Sequence, residues 1–247
     1  MDYWKQKNEL IEKAKIHYQD MKNRYQNEID TRIVKFYASY DEVPQINKPK
    51  FTLIDLNTVE AIFYFDNCTA LDFASYKDPG GLFFQGSSAQ EESLCHASYL
   101  YNVLEKQKSY YAYNRNHKNA GLYENRLLYC KDIFFQLRNK QKYCDIIVCA
   151  APNRINLLKY NSFNEAQNNH ALKERIKLIK FAAEDNNVKT LILGAFGCGV
   201  FKQKPHIVCS NFIDVFQTTS VQNIVFAIPK GPNYKVFKEV LTEHNIL

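Results

Sequence analysis

Residues 68–92 read CTALDFASYKDPGGLFFQGSSAQEE, and this run decides how the rest of the chain is interpreted. Its first seven residues, 68–74, are mostly apolar and predict a buried strand, and the loop after them holds three of the chain's eight glycines. The run ends in Gln90, Glu91 and Glu92, which predict the first turn of a helix because acidic side chains favour that position. A strand, a glycine loop and a helix in this order are typical of an α/β protein with a ligand site at the carboxyl edge of its sheet.

A second glycine loop, residues 193–201, reads LGAFGCGVF. It also follows a predicted strand, residues 188–193, and precedes a predicted helix, residues 205–216. Its spacing, Gly-x-x-Gly-x-Gly, is neither that of a P-loop nor that of the dinucleotide fingerprint. Glycine lets a backbone approach a ligand closely, and helix N-termini suit phosphate. Tight packing of a strand on a helix explains these glycines equally well.

The rest of the chain alternates strands with helices, which predicts a three-layer α/β/α fold with a mixed, largely parallel central sheet. We expect residues 1–50 to form an N-terminal helical extension packed on the core, with its helix over 3–42 and a linker over 43–50. We expect residues 51–247 to form the main domain. Its further predicted strands are 51–56, 127–137, 145–151 and 223–228, and its further helices are 58–65, 89–104, 164–185 and 234–244.

The positive charge is concentrated in one segment. Residues 102–142 contain nine Lys and Arg against three acidic residues, an excess equal to the +6 of the whole chain. Five tyrosines are interleaved with these charges, namely Tyr110, Tyr111, Tyr113, Tyr123 and Tyr129. Such a basic, tyrosine-rich insert, about 105–142, suits a polyanion with stackable rings. A solvated, irregular surface insert is the alternative.

The cysteines and the apolar runs bear on the compartment. The seven cysteines are odd in number and none has CxxC spacing, so neither a disulfide framework nor a zinc site is predicted. No apolar run approaches the ~20 residues that span a bilayer. We therefore expect a cytoplasmic protein with free thiols, no bound metal, no cofactor and no membrane contact.

The carboxylates after the first loop are the candidates for chemistry. Ser88 and Glu91 have the spacing of a capping box. Glu91 and Glu92 directly after a glycine loop suit glycosidic chemistry, which needs a carboxyl group that protonates the departing oxygen. The alternative is that both acids only complement the helix dipole. The dipole stabilises the ionised form, so burial and nearby negative charge must raise the pKa of a general acid here.

Residues 71–75, the first glycine loop and residues 89–95 resemble the signature of microbial-type poly(ADP-ribose) glycohydrolases. Members of this family are macrodomain-fold enzymes with a GGG loop followed by Gln-Glu-Glu. Three further segments resemble motifs of the same family in the same order, namely TVEA at 58–61, VCAAPN at 148–153 and the second loop at 193–201. The resemblance extends over about residues 51–230 and implies the macrodomain-like fold.

The resemblance also implies roles for individual residues. Glu92 would be the general acid and then the base that activates water, Glu91 would hold a ribose hydroxyl, and no metal would be needed. Gln90 would orient the first loop, Phe201 would pack against a ribose or the adenine, and Cys198 would contribute its backbone N–H. The implied substrate contacts are Asp72, Gly80, Gly81, Gln90, Asn153, Gly194, Ala195, Phe196, Gly197, Cys198, Gly199, Val200 and Phe201. The implied partner is ADP-ribose, its polymer or an ADP-ribosylated macromolecule.

The chain departs from the family pattern at three positions. Leu82 replaces the third loop glycine, where a side chain narrows the site or requires a negative φ. Asp72 and Asp78 stand where asparagine is usual in microbial members. These departures leave open a second function, a non-catalytic reader of ADP-ribose. A nucleic-acid-binding protein that uses the basic insert is a third. We expect His96 to be a packed or exposed residue and not a base.

Overall fold

The computed structural model describes residues 3–41 and 47–247, and within them the chain forms alternating helices and strands. The strands are β1 (Val34–Tyr37), β2 (Lys50–Ile54), β3 (Cys68–Phe73), β4 (Leu127–Leu137), β5 (Lys140–Cys149), β6 (Thr190–Leu193) and β7 (Asn223–Ala227). The α-helices are α1 (Tyr3–Thr31), α2 (Thr58–Tyr64), α3 (Gln90–His96), α4 (Leu100–Leu104), α5 (Lys108–Asn116), α6 (Ile155–Tyr160), α7 (Glu165–Asp185), α8 (Pro205–Val215) and α9 (Pro232–Glu243).

The seven strands form one mixed sheet in the order β1-β4-β5-β3-β6-β7-β2. The five strands from β5 to β2 are parallel, whereas β4 pairs antiparallel with β1 and with β5. Helices α1–α5 pack in the apolar core on one face, and α7–α9 pack in the core on the other face. The structure confirms the three-layer α/β/α fold. The carboxyl ends of the parallel strands meet at one edge, so both glycine loops emerge there.

The N-terminal prediction is wrong after residue 31. The helix ends at Thr31, and β1 follows and pairs with β4 in the central sheet. Its alternating β-branched and aromatic residues, Val34, Phe36 and Tyr37, favour a strand over a helix. Residues 3–37 thus contribute both a helix and an edge strand. The predicted linker, 43–50, lies partly outside the described residues.

Helix α1 packs against the first glycine loop. Ala14, Met21 and Ile29 on α1 are buried in the core. A Cβ at Gly86 would lie 2.7 Å from the carbonyl oxygen of Lys7, so the loop touches the helix directly. Two aromatic pairs continue this contact with ring centroids 5.6 and 6.5 Å apart, Tyr18 with Phe84 and His17 with Phe83.

Two further predictions need correction. Residues 89–104 form two helices, because the backbone at Ala97 and Ser98 turns away to bond β4, where Gln136 N donates to Ala97 O at 2.7 Å. The segment 105–142 is not an irregular insert, since it contains α5, all of β4 and the first residues of β5. Helix α6 was not predicted at all.

The remaining observations concern cysteines and membrane spans. All seven cysteines are free, and all but Cys198 are buried. No helix among the described residues has the length and apolar character needed to cross a bilayer.

Candidate active site

The side chain of Gln90 joins the start of α3 to the end of β3 by hydrogen bonds. Its Oε1 accepts from the backbone N–H of Phe73 at 2.8 Å. Its Nε2 donates to the carbonyl oxygen of Leu71 at 2.8 Å and to Thr58 Oγ1 at 3.2 Å. Because both ends of the amide are bonded, the first turn of α3 has one position relative to the strand.

The two glutamates after Gln90 lie beneath the first loop and are held by its backbone. Glu91 Oε2 accepts from Ser75 N at 2.7 Å, and Glu92 Oε1 accepts from Leu82 N at 2.8 Å. Their exposed fractions are only 4% and 5%. The other oxygen of each, Glu91 Oε1 and Glu92 Oε2, is buried and has no hydrogen-bond partner in the described part of the chain. Each glutamate therefore has one oxygen fixed by the loop and one oxygen without a hydrogen-bond partner in the described residues.

The first loop approaches these carboxylates through its glycines. Gly80 and Gly81 have φ values of +65° and +59°, in a region that residues other than glycine rarely adopt. A Cβ at Gly81 would lie 2.5 Å from Glu92 Oε1 and 2.7 Å from Glu91 Oε2. A Cβ at Gly80 would lie 2.5 Å from the ring of Tyr101. The absence of side chains at both positions is what lets the loop lie directly on the two glutamates.

Leu82, the departure from the GGG pattern, fits without backbone strain. Its φ is −104°, and its N–H is the one that donates to Glu92. Its side chain is 54% exposed and lines the cavity in front of the two glutamates. Leucine thus keeps the carboxylate contact of the loop and adds an apolar wall to the cleft.

Asp72 lies behind the glutamates and not in the cleft. Its exposed fraction is 0%, and neither of its carboxylate oxygens has a hydrogen-bond partner among the described residues. Burial and then the charge of Glu92 raise the pKa of Asp72 well above its usual range. Burial and then the charge of Asp72 raise the pKa of Glu91, although the N–H groups of Ser75 and Gly80 oppose the shift. Asp72 and Glu91 therefore keep protons that exposed carboxylates lose.

The helix start shows no capping box, contrary to the sequence prediction. The N-cap is Ala89, which has no side-chain bond to the helix. Ser88 and Glu91 do not bond each other, because Glu91 is directed toward Ser75 instead. Ser88 contributes its carbonyl oxygen, which accepts from Ser93 Oγ at 3.4 Å.

The second loop, residues 194–201, forms the opposite wall. Ala195, Gly197, Gly199, Val200 and Phe201 line the same cavity as Glu91 and Glu92. The N–H groups of Gly197, Gly199 and Val200 have no backbone acceptor within residues 3–41 and 47–247. Backbone N–H groups that line a cleft and have no backbone acceptor suit an anion.

Not every predicted contact of the second loop reaches the cleft. The Phe196 side chain is fully buried and packs on Phe73, with ring centroids 5.8 Å apart. Cys198 N, predicted as a ligand donor, already donates to Ala195 O at 3.0 Å. Gly194 serves packing, since a Cβ there would lie 3.0 Å from both Phe73 and the Ala227 carbonyl oxygen.

Asn153 and His96 complete the predicted set. Asn153 lies outside the described cavities that hold the glutamates, and its Oδ1 accepts from Ile155 N at 3.1 Å as a helix-start contact. His96 packs on the Phe83 ring, with centroids 4.6 Å apart, and burial lowers its pKa to about 4. His96 is therefore packed, as we expected, whereas the ligand contact of Asn153 stays a prediction.

The cleft has two connected parts. A cavity of about 230 Å³ contains Glu91, Glu92, Leu82 and Phe201, and one of about 480 Å³ adjoins it across Phe73, Ala89, Gln90, Ala195 and Gly199. The larger part is also lined by residues 227–233, which the sequence analysis missed. They follow β7, and the rule that parallel strands end at one edge places them beside the other two loops. No group of three or more metal-ligating side chains occurs in the described ranges.

Comparison with known proteins agrees with this geometry. The family model "Microbial-type PARG, catalytic domain" matches residues 5–138, more than half of the chain. Poly(ADP-ribose) glycohydrolase (PARG) from Thermomonospora curvata has a TM-score of 0.83 at 20% identity and covers 94% of this chain and 99% of its own, which shows the shared fold.

A second solved structure, PARG from Deinococcus radiodurans in complex with ADP-ribose, has a TM-score of 0.73 at 25% identity, covering 94% of this chain and 92% of its own. A mutant of the same Deinococcus protein with ADP-ribose is 28% identical over 79% of this chain. No curated protein matches the chain. The family match confirms the resemblance seen in the sequence, and the chain belongs to the microbial-type PARG catalytic domain family.

Proposed function

We propose that the chain is an ADP-ribosyl glycohydrolase that hydrolyses the ribose–ribose O-glycosidic bonds of poly(ADP-ribose), with Glu92 as the general acid and base. The observation that carries this proposal is the pair of buried glutamates, each with one oxygen held by the first loop and one unpartnered. A related structure supports the substrate class, because the Deinococcus PARG was solved in complex with ADP-ribose.

The shape of the cleft supports one orientation of ADP-ribose. The larger cavity, about 480 Å³, has mostly apolar walls and suits the adenosine. The backbone donors of the second loop, at Gly197, Gly199 and Val200, suit the diphosphate. The smaller cavity then receives the terminal ribose next to Glu91 and Glu92. This orientation places the scissile bond at the glutamates and not at the adenine end.

The proposed reaction uses Oε2 of Glu92, while Oε1 stays bonded to the Leu82 N–H. The unpartnered Oε2 gives a proton to the departing ribose oxygen as the bond to the anomeric carbon breaks. The resulting carboxylate takes a proton from water, and the hydroxide adds to the anomeric carbon. ADP-ribose and a shortened polymer leave, and Glu92 has regained its proton. Glu91 orients the ribose by accepting from a hydroxyl next to the scissile bond.

The reader alternative depended on a loop distorted by Leu82. The loop is not distorted, because Leu82 has an ordinary φ and still donates its N–H to Glu92. We therefore favour catalysis over non-catalytic binding. The same chemistry also applies to ADP-ribose attached to a protein, and an assay with ADP-ribosylated protein identifies the acceptor group.

The test compares the wild-type protein with Glu92→Gln on purified poly(ADP-ribose), with released ADP-ribose measured by chromatography. A general acid contributes roughly 10²–10⁴-fold to the rate, so we expect Glu92→Gln to lose at least about a hundredfold in kcat. Glutamine retains the acceptor for the Leu82 N–H, so ADP-ribose should still raise the Tm of both proteins.

The matched control is Glu239→Gln on the exposed face of α9, which should match the wild type. Equal ADP-ribose release by the wild type and Glu92→Gln would end the assignment of Glu92. Binding of ADP-ribose with no release by the wild type would establish the reader function instead.

A further inference from the structure

A group of exposed cations borders the cleft on one side. Lys77 lies in the first loop, and Lys202 directly follows the second loop. Arg115 lies on α5, and Lys118 follows that helix. None of them has a carboxylate within 4.0 Å among the described residues, whereas Lys106 and Lys142 of the same basic segment pair with Asp30 and Asp66. The four cations are Lys77, Arg115, Lys118 and Lys202, and together they are called the rim cations.

Hydrogen bonds join the α5 side of this rim to the first loop. Arg115 Nη1 donates to the Lys77 carbonyl oxygen at 2.8 Å, and Asn114 Nδ2 donates to the Tyr76 carbonyl oxygen at 2.7 Å. Tyr76 OH donates to the His117 carbonyl oxygen at 3.0 Å. The basic segment therefore has a fixed position beside the loop that carries Gly80 and Gly81.

Stacked aromatic rings join the same segment to the second loop. Tyr123 stacks on Tyr76 with ring centroids 4.2 Å apart and contacts Phe201 edge-on at 6.1 Å. The Lys118 carbonyl oxygen accepts from Tyr123 N at 3.2 Å, and Arg154 Nη1 donates to the Lys202 carbonyl oxygen at 3.1 Å. The rim cations thus belong to one rigid border and not to separate surface loops.

The border also offers an exposed stacking surface. Tyr113 lies between the Arg126 guanidinium, 4.0 Å from its ring centroid, and the His117 ring, which stacks on it with centroids 3.8 Å apart and planes 8° from parallel. Both faces of Tyr113 are therefore covered, and the exposed His117 ring is the outer member of the stack. The neighbouring acids are fewer than the cations. Glu124 accepts from Tyr113 OH at 2.9 Å, and Asp78 belongs to the first loop. The four cations and two acids leave an excess of positive charge beside an aromatic platform.

We propose that this border binds the ADP-ribose unit next to the one in the cleft, with the rim cations on its diphosphate and the exposed His117 ring on its adenine. This inference rests on the proposed function, since it concerns the part of the polymer outside the active site. Exposed cations attract phosphates through solvent, and an aromatic face stacks on any base. A nucleic acid offers the same two groups, but the border adjoins the cleft for ADP-ribose, which favours the polymer.

The test measures binding without turnover, in full-length protein carrying Glu92→Gln. Poly(ADP-ribose) of defined length and free ADP-ribose are titrated over a range of salt concentrations. The variant is Arg115→Gln with Lys118→Gln. The control is Arg138→Gln with Lys140→Gln, which removes the same two charges from the opposite end of the basic segment.

We expect the Arg115/Lys118 variant to bind polymer about tenfold more weakly, with the slope of log affinity against log salt smaller by about 1.4. Its affinity for free ADP-ribose and the polymer affinity of the control should not change. A second variant, Lys77→Gln with Lys202→Gln, keeps the Arg115 contact to the loop and should show the same selective loss.

Unchanged polymer affinity in both rim variants would overturn the inference. It would also be overturned if the parent bound polymer no more tightly than ADP-ribose, or bound an oligoadenylate single strand as tightly as polymer. Failure of the proposed function has a different signature, namely no release of ADP-ribose from polymer by the protein with Glu92 intact.

Discussion

Gly81→Ala tests whether the close contact between the first loop and the glutamates is required for catalysis. The new Cβ would lie 2.5 Å from Glu92 Oε1 and 2.7 Å from Glu91 Oε2, whereas ordinary contact begins at 3.4 Å. The two oxygens must therefore retreat by about 0.9 and 0.7 Å. Misplacement of a reacting group by ~1 Å costs about 100-fold in rate, so we expect kcat on poly(ADP-ribose) to fall about 100-fold.

The same substitution has a separate cost in stability. At φ +59° an alanine is disfavoured by roughly 1–2 kcal/mol, which corresponds to a decrease in Tm of about 2–8 °C. The control is Glu239→Gln on the exposed face of α9, outside both glycine loops. Steady-state release of ADP-ribose and thermal unfolding measure both effects. If Gly81→Ala kept kcat within about threefold of the Glu239→Gln value, close packing of the loop on the carboxylates would not matter for catalysis.

Two further predictions concern the residues behind and beside the glutamates. The pKa of Asp72 is higher in the folded protein than in the unfolded chain, so the unfolded chain loses this proton at a lower pH. The stability of the wild type therefore falls as the pH rises from 3.8 toward the folded pKa, and Asp72→Asn does not show this fall. We expect its Tm to match the wild type near pH 4 and to exceed it at pH 8, and a Tm difference that is the same at every pH would contradict this account. Gln90→Ala leaves the N–H of Phe73 without its acceptor, so we expect the free energy of unfolding in urea to fall by about 1–3 kcal/mol and the activity to fall as well. The control, Gln85→Ala at an exposed position, should lower the free energy of unfolding by less than about 0.5 kcal/mol. Equal urea midpoints for Gln90→Ala and Gln85→Ala would show that the hydrogen bonds from Gln90 to β3 do not contribute to stability.

The parts of the fold predicted correctly are those with strong local signals. Buried apolar runs such as 223–228 have few alternatives to a parallel strand, and Asn164 caps α7 in a complete capping box. The N-terminal strand was missed because a long charged helix precedes it and only four residues, 34–37, carry the strand pattern. The break at Ala97–Tyr99 was missed because its cause is a bond to a strand nearly 40 residues later.

The predicted site was more accurate for loops than for single side chains. Motif order identified both glycine loops and the two glutamates, because spacing in the chain determines which loop follows which strand. It did not show which way a side chain points. Phe196 is directed into the core and Asp72 beneath the carboxylates, where burial and tertiary packing decide the outcome. The single leucine in the GGG position was compatible with the loop because that residue adopts a negative φ.

The contact between α1 and the first loop has a consequence for the order in which the protein assembles. Lys7 and Gly86 touch across nearly 80 residues of chain, as do Tyr18 and Phe84 across more than 60. Contacts so distant in sequence close late, because the entropy of a long loop must be overcome first. The loop that holds Glu91 and Glu92 thus acquires its final shape only when the beginning of the chain returns to it. A trimmed chain without α1 would contain both glycine loops and both glutamates and still have an incomplete active site.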